Sequence, residues 1–152
     1  MREPSPFSPK WWSHKFNGPA MRYEVALEVE SGYIVWAYGG FPAGPNRDVD
    51  IARKKFVKKL KPDERAIADK GYRFCNRFYV PKNGNPGNKK IKAILARHEN
   101  VNRRIKSFDC MSGVFRHDLA LHHVCFYAIV NIVQIAIENG EKLPDVSNIY
   151  KL

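Results

Sequence analysis

Glu64-Arg-Ala-Ile-Ala-Asp-Lys-Gly-Tyr72 is a short apolar run that ends in an acid and a Lys-Gly turn. The pattern predicts a strand over 64–68 and a chain reversal over 69–72. An acid placed there projects from the C-terminal edge of a strand, where the ligands of open α/β sheets gather. The plain alternative for Asp69 is a turn-forming aspartate with no chemistry of its own.

Outward from this stretch, strand and helix signals alternate. Upstream, Tyr23-Glu-Val-Ala-Leu-Glu-Val29 and Tyr33-Ile-Val-Trp-Ala-Tyr38 are rich in β-branched and aromatic residues around Ser31-Gly32. They predict a hairpin over 23–38. A Gly/Pro-rich loop follows over 39–45, and Asp48 or Asp50 is placed to cap a helix reaching about residue 60. Downstream, 77–81 reads as a further strand and 83–88 as a flexible loop. Apolar residues Ile91, Ile94, Leu95, Val101, Ile105 and Phe108 recur at helical spacing over 89–108. A last helix is predicted over 114–138, closed by Asn139-Gly140. The fold class is therefore α/β, with a mixed sheet and C-terminal helices. Residues 1–22, with prolines at 4, 6 and 9, read as an irregular lead-in without a secretory apolar core. Residues 23–108 form the core, and 109–152 a helical segment of the same domain.

Charge locates the expected partner. The 152 residues hold 26 Lys and Arg against 15 Asp and Glu, a formal net charge of +11. Arg116, Lys142 and Lys151 face Asp109, Asp118, Glu138, Glu141 and Asp145, so 109–152 carries −2 and the first 108 residues +13. Two clusters supply most of the excess. One holds Lys54, Lys55, Lys58 and Lys59; the other holds Lys89, Lys90, Arg97, Arg103, Arg104 and Lys106. A single run of this kind reads equally well as a solvated helix face. Two runs in one small domain favour a surface that tracks phosphates, with nucleic acid ahead of anionic lipid. Leu119 to Ile137 contains no formally charged residue, but His122, His123, Asn131 and Gln134 interrupt it and no basic flank sets an orientation, which argues for a buried helix rather than a span. That helix packs on a sheet or on a second subunit. Three cysteines without a CxxC pair exclude a disulfide framework or a cysteine zinc site, and fit a reducing intracellular setting.

Among the acids, Glu99 is unusual. It is the only one between Asp69 and Asp109, in a helix otherwise rich in Lys and Arg. Lys106 lies seven residues on, about 20° away around the helix. The plain reading of Glu99 is a surface residue paired with Arg103. Paired carboxylates in a basic domain suit phosphodiester chemistry, in which divalent metals activate a water and stabilise the leaving oxygen. His117, His122 and His123 lack the spacing of a metal motif, and packing or helix-terminus contacts are expected of them.

Ala68-Asp69-Lys-Gly-Tyr72, followed by Arg97-His-Glu99-Asn-Val-Asn-Arg-Arg-Ile-Lys106, resembles the DDE superfamily of transposases, in its PIF/Harbinger branch. Phe7-Ser-Pro-Lys-Trp-Trp-Ser-His-Lys-Phe-Asn-Gly-Pro19, Arg22-Tyr-Glu-Val25, Ile34-Val-Trp36, Gly40-Phe-Pro-Ala-Gly44 with Asp48, and Phe115-Arg-His-Asp118 extend the resemblance over nearly the whole chain. It implies an RNase H-like fold whose Asp, Asp and Glu hold Mg2+ or Mn2+ for DNA strand cleavage and transfer in a nucleus. Asp69 matches the second Asp, Glu99 the final Glu and Lys106 a basic partner near DNA, with Asp48 a further metal candidate. A second copy or a helper DNA-binding protein is the implied protein partner. The family's first Asp belongs to an Asp-Gly-Thr-like segment upstream of the region matched by residues 3–7. No Asp occurs here before Asp48. The expectation is thus a partial RNase H-like core without its central first strand, inactive as a nuclease by itself.

Overall fold

A computed structural model describes residues 8–149. The expectations for 1–7 and 150–152 lie outside the described residues. Its backbone is built from three two-stranded ladders and four α-helices among those residues. The predicted α and β mixture is present, but the strands do not join into one mixed sheet.

The main ladder is the predicted hairpin, β3 (Met21–Leu27) against β4 (Ile34–Pro42), antiparallel. Tyr23, Val25 and Leu27 alternate along β3 and face the core, while Arg22, Glu24 and Ala26 face the other way. Two register shifts keep the faces matched. At one, Ala26 pairs with Trp36 but Leu27 with Ile34, leaving Val35 as the extra, exposed residue. At the other, Arg22 pairs with Phe41 and Tyr23 with Gly39, so Gly40 is the extra residue. Gly39 and Gly40 have φ of 149° and 88°, and a Cβ on Gly39 would lie 2.6 Å from the Arg22 carbonyl oxygen. Only glycine fits there. Ahead of the hairpin, β1 (Trp12–Ser13) and β2 (Gly18–Pro19) form a small antiparallel ladder. The described part of the segment expected to be irregular thus forms regular structure. Bonds from Gly44 N–H to the Lys10 carbonyl (2.9 Å) and from Ala43 N–H to the Ala20 carbonyl (3.0 Å) tie it to the end of β4.

The core lies between the inner face of this hairpin and two long helices. From α2 (Asn88–Lys106) come Val101 and Ile105; from α4 (Leu119–Glu138) come Phe126, Ile129, Val130, Val133 and Ile137. Tyr23 stacks on Phe126 at 4.0 Å between centroids and shares a 2.6 Å hydrogen bond with Nδ1 of buried His122. Burial holds the His122 imidazole below its ordinary pKa. His117 packs edge-on to buried Phe115, which also meets His122. The packing role expected of the histidines is what the structure gives His117 and His122. α4 starts at Leu119, five residues later than predicted, because the Asp118 carboxylate accepts the Ala120 N–H (2.9 Å) and caps it there. It ends as expected at Asn139 and Gly140, the latter with φ of 91°. By length and composition α4 is apolar enough to cross a bilayer, yet one face packs on β4 and α2. Its outer face leaves Leu121, Val124, Ile132 and Ile135 more than half exposed. A short α3 (Asp109–Ser112) links α2 to α4.

The outer face of the hairpin carries an aromatic layer. Trp36 packs against Tyr38 and Phe56, and Phe56 and Tyr72 both meet Phe78. α1 spans Asp48–Lys54, shorter than predicted, and the chain continues as a tight helical turn over Phe56–Lys59. A continuous helix would stack Lys54 on Lys58 and Lys55 on Lys59, repulsive at that spacing. The break at Lys55 also lets Phe56 reach Trp36. The predicted cap is different too: Arg47 occupies the cap position without a side-chain capping bond, its guanidinium pairing with Asp50 instead (2.7 Å), and Asp48 begins the helix. Finally, β5 (Ala66–Ile67) pairs in parallel with β6 (Phe78–Tyr79), within the two stretches predicted as strands.

Candidate nucleic-acid cleft

The turn after β5 and the start of α1 face each other across a cleft of about 640 Å³. Arg22 enters it from β3, Arg47, Asp48 and Val49 from the start of α1, and Asp69, Lys70, Gly71 and Tyr72 from the turn, with Phe74 at the rim. Two of the three predicted metal ligands, Asp48 and Asp69, therefore share one site. Each has a structural task as well. Asp69 Oδ1 accepts the Gly71 N–H at 2.7 Å and caps the tight helical turn Lys70–Tyr72. Asp48 Oδ1 receives Arg22 Nη1 at 2.8 Å, while Arg22 Nε donates to the Ala43 carbonyl at 3.0 Å.

A third acid borders this region, and the sequence reading did not single it out. Glu24 lies next to cleft-lining Arg22 on β3, half-buried, and accepts Trp36 Nε1–H at 2.8 Å. Burial pushes its carboxyl above the usual range; the Trp36 bond pulls it back, and the Asp48 carboxylate adds to the rise. The Tyr72 hydroxyl reports the same field. Burial first, then Asp48, Glu24 and Asp69, drive its pKa strongly upward. A charged residue in mid-strand beside an arginine was the available signal for Glu24.

Glu99 does not line the cleft. It is exposed on α2, directly after two residues that hold the fold together. His98 Nε2 bonds the Val25 carbonyl at 2.9 Å. Arg97, expected on the phosphate-tracking surface, is instead buried: Nε donates to the Pro144 carbonyl (2.9 Å) and Nη1 to those of Val29 and Glu30 (3.0 and 2.9 Å). Arg104 is similarly occupied, by Asn100 Oδ1 (2.9 Å) and the Glu141 carboxylate (2.6 Å). The helical pattern placed these two arginines on a basic face; tertiary bonds to the chain after α4 claimed them. Lys54, Lys55, Lys58, Lys59, Lys89, Arg103 and Lys106 are exposed, and Lys90 is partly so.

Among the described residues, no three His, Cys, Asp or Glu side chains converge to hold a metal ion. The cleft offers two carboxylates, one paired with Arg22 and the other capping a turn. This donor set does not by itself make a two-metal centre, which needs bridging acids around both ions. What the cleft does offer is mixed: Arg22, Arg47 and Lys70 beside two carboxylates and two aromatic rings. Such a lining suits a phosphodiester strand better than a small apolar ligand, whose pockets are mostly hydrophobic. No family model matches the chain, and comparison with curated proteins and with solved structures gives no match either.

Proposed function

We propose that this chain is the DNA-holding part of a DDE-type transposase or endonuclease domain of the PIF/Harbinger kind. The carrying observation is that Asp48 and Asp69, far apart in sequence, line one cleft together with Arg22, Arg47 and Lys70. The strand pattern supports the same reading. An antiparallel hairpin, a helix and a parallel strand pair follow in the order that an RNase H-like core has once its central first strand is set aside. The exposed lysines of the Phe56–Lys59 turn and of α2 supply the sequence-independent attraction to DNA. The apolar outer face of α4 is where we place a second protein, another copy or a helper; a monomer in sedimentation would count against that placement.

In this reading the metal-dependent step needs a further acid beside Asp48 and Asp69, because those two carboxylates do not by themselves surround two ions. Mg2+ or Mn2+, when bound, would polarise the scissile phosphate and activate water. The residues of this chain position the strand: Lys70 and Arg47 hold phosphates, and Arg22 keeps Asp48 oriented. The cleft's donor set favours, as a second reading, a nucleic-acid-binding module with no cleavage role at all. Supercoiled DNA incubated with the chain and Mg2+ is expected to stay intact. Asp69→Asn, which keeps the acceptor for the Gly71 N–H while removing the charge, is expected to leave or raise DNA affinity. Nicking lost in Asp69→Asn would overturn the inactive assignment. Absence of DNA binding in low salt would overturn both readings.

A further inference from the structure

Phe74 is 68% exposed at the rim of the cleft, the most exposed of the large apolar side chains described. Its backbone is nevertheless firmly held. On one side Tyr72 packs on Phe78 at 4.7 Å between centroids. On the other, Cys75 is buried and its N–H bonds the Tyr72 carbonyl at 3.0 Å. An Arg53 guanidinium nitrogen donates to the Phe74 carbonyl itself, and a second one lies 3.6 Å from Asp50. The neighbouring Arg73 guanidinium sits over the Phe74 ring, 4.7 Å from its centroid. A large apolar ring presented to solvent on a pinned loop loses hydrophobic stabilisation that an inward rotamer or a polar residue would spare. One face of the ring carries a cation, and Lys70 and Arg47 stand in the same cleft.

We infer that Phe74, backed by Arg73, is a stacking platform for an unpaired base of a DNA strand whose adjoining phosphates lie in the cleft. This rests on the DNA-holding reading above and adds to it a preference for single-stranded or locally opened DNA. Aromatic stacking of this kind is tolerant of base identity, because every base has a π face. A duplex offers no such face except at its ends, so the ring should contribute nothing to duplex binding. Arg65 over the exposed Tyr79 ring, 5.2 Å from its centroid, repeats the same pairing of cation and aromatic on the strand that follows.

The test compares the full chain with its Phe74→Ala and Phe74→Trp forms, using fluorescence anisotropy of a labelled 20-nucleotide single strand and of the same strand annealed to its full complement. Phe74→Ala should weaken single-strand binding by about tenfold, on the order of one lost base stack. It should leave duplex binding unchanged, and Phe74→Trp should restore single-strand affinity. Equal single-strand binding by wild type and Phe74→Ala would overturn the platform while leaving DNA binding in place. Equal losses on both probes would overturn it too, by making Phe74 a general surface contact. Failure of the wild-type chain to bind either probe would overturn the DNA-holding reading and the platform with it.

Discussion

At the scale of single residues, Arg97 and Glu24 reverse the first impression each gives. Arg97 sits in a run of basic residues, yet its guanidinium is buried on three backbone carbonyls from two distant segments. Arg97→Ala leaves those carbonyls unpaired and should cost about 2–4 kcal/mol of stability. It should leave the salt dependence of DNA binding untouched; parallel chemical denaturation and binding curves check the two halves. Glu24 is the opposite case, an acid whose charge the fold disfavours. Its folded-state pKa lies above the unfolded value, so stability is full below the unfolded pKa and falls as pH rises through the folded one. Glu24→Gln keeps an oxygen for Trp36 Nε1–H and should therefore raise Tm more at pH 7 than at pH 4, as read by thermal melts at the two pH values. A larger gain at pH 4 would contradict the burial of that carboxyl.

Elements are where the sequence was most legible. The hairpin, α2, α4 and both strands of the parallel ladder lie where β-rich or apolar runs and helical spacing place them, since these residues are the ones that bury one face. What the patterns left open were ends and partners. Asp118 starts α4 five residues late through a local cap, and the lysine run breaks α1 because a continuous helix would align like charges. The bulges at Val35 and Gly40 depend on pairing across strands, which one strand read alone does not carry. α4 also tests the difference between an apolar composition and a buried face. Ile129 is 5% exposed and Ile132 is 51% exposed on the same helix. Ile129→Ala should cost about 2–5 kcal/mol, whereas Ile132→Ala should stay within about 0.5 kcal/mol. Urea denaturation of both variants distinguishes this packing from a helix buried on all sides.

For the whole molecule, the balance of +13 before residue 109 and −2 after it separates a basic, cleft-bearing part from an acidic helical tail. The candidate site was half legible. Asp48 and Asp69 were singled out from the sequence and meet in the cleft, but Glu99 does not line it, and Arg22, Arg47, Lys70, Tyr72 and Phe74 were not named as site residues. These five join the site through the way β3, α1 and the 69–74 turn pack, information that no local spacing contains. The central claim is that DNA phosphates lie in this cleft. Its most direct test is the affinity of the full chain for a short duplex across a salt series, with Lys70→Ala beside wild type. Phosphate contact predicts that log affinity falls linearly with log salt, and that Lys70→Ala lowers the steepness by about one unit. A slope near zero in wild type, or one that Lys70→Ala leaves unchanged, would contradict the account.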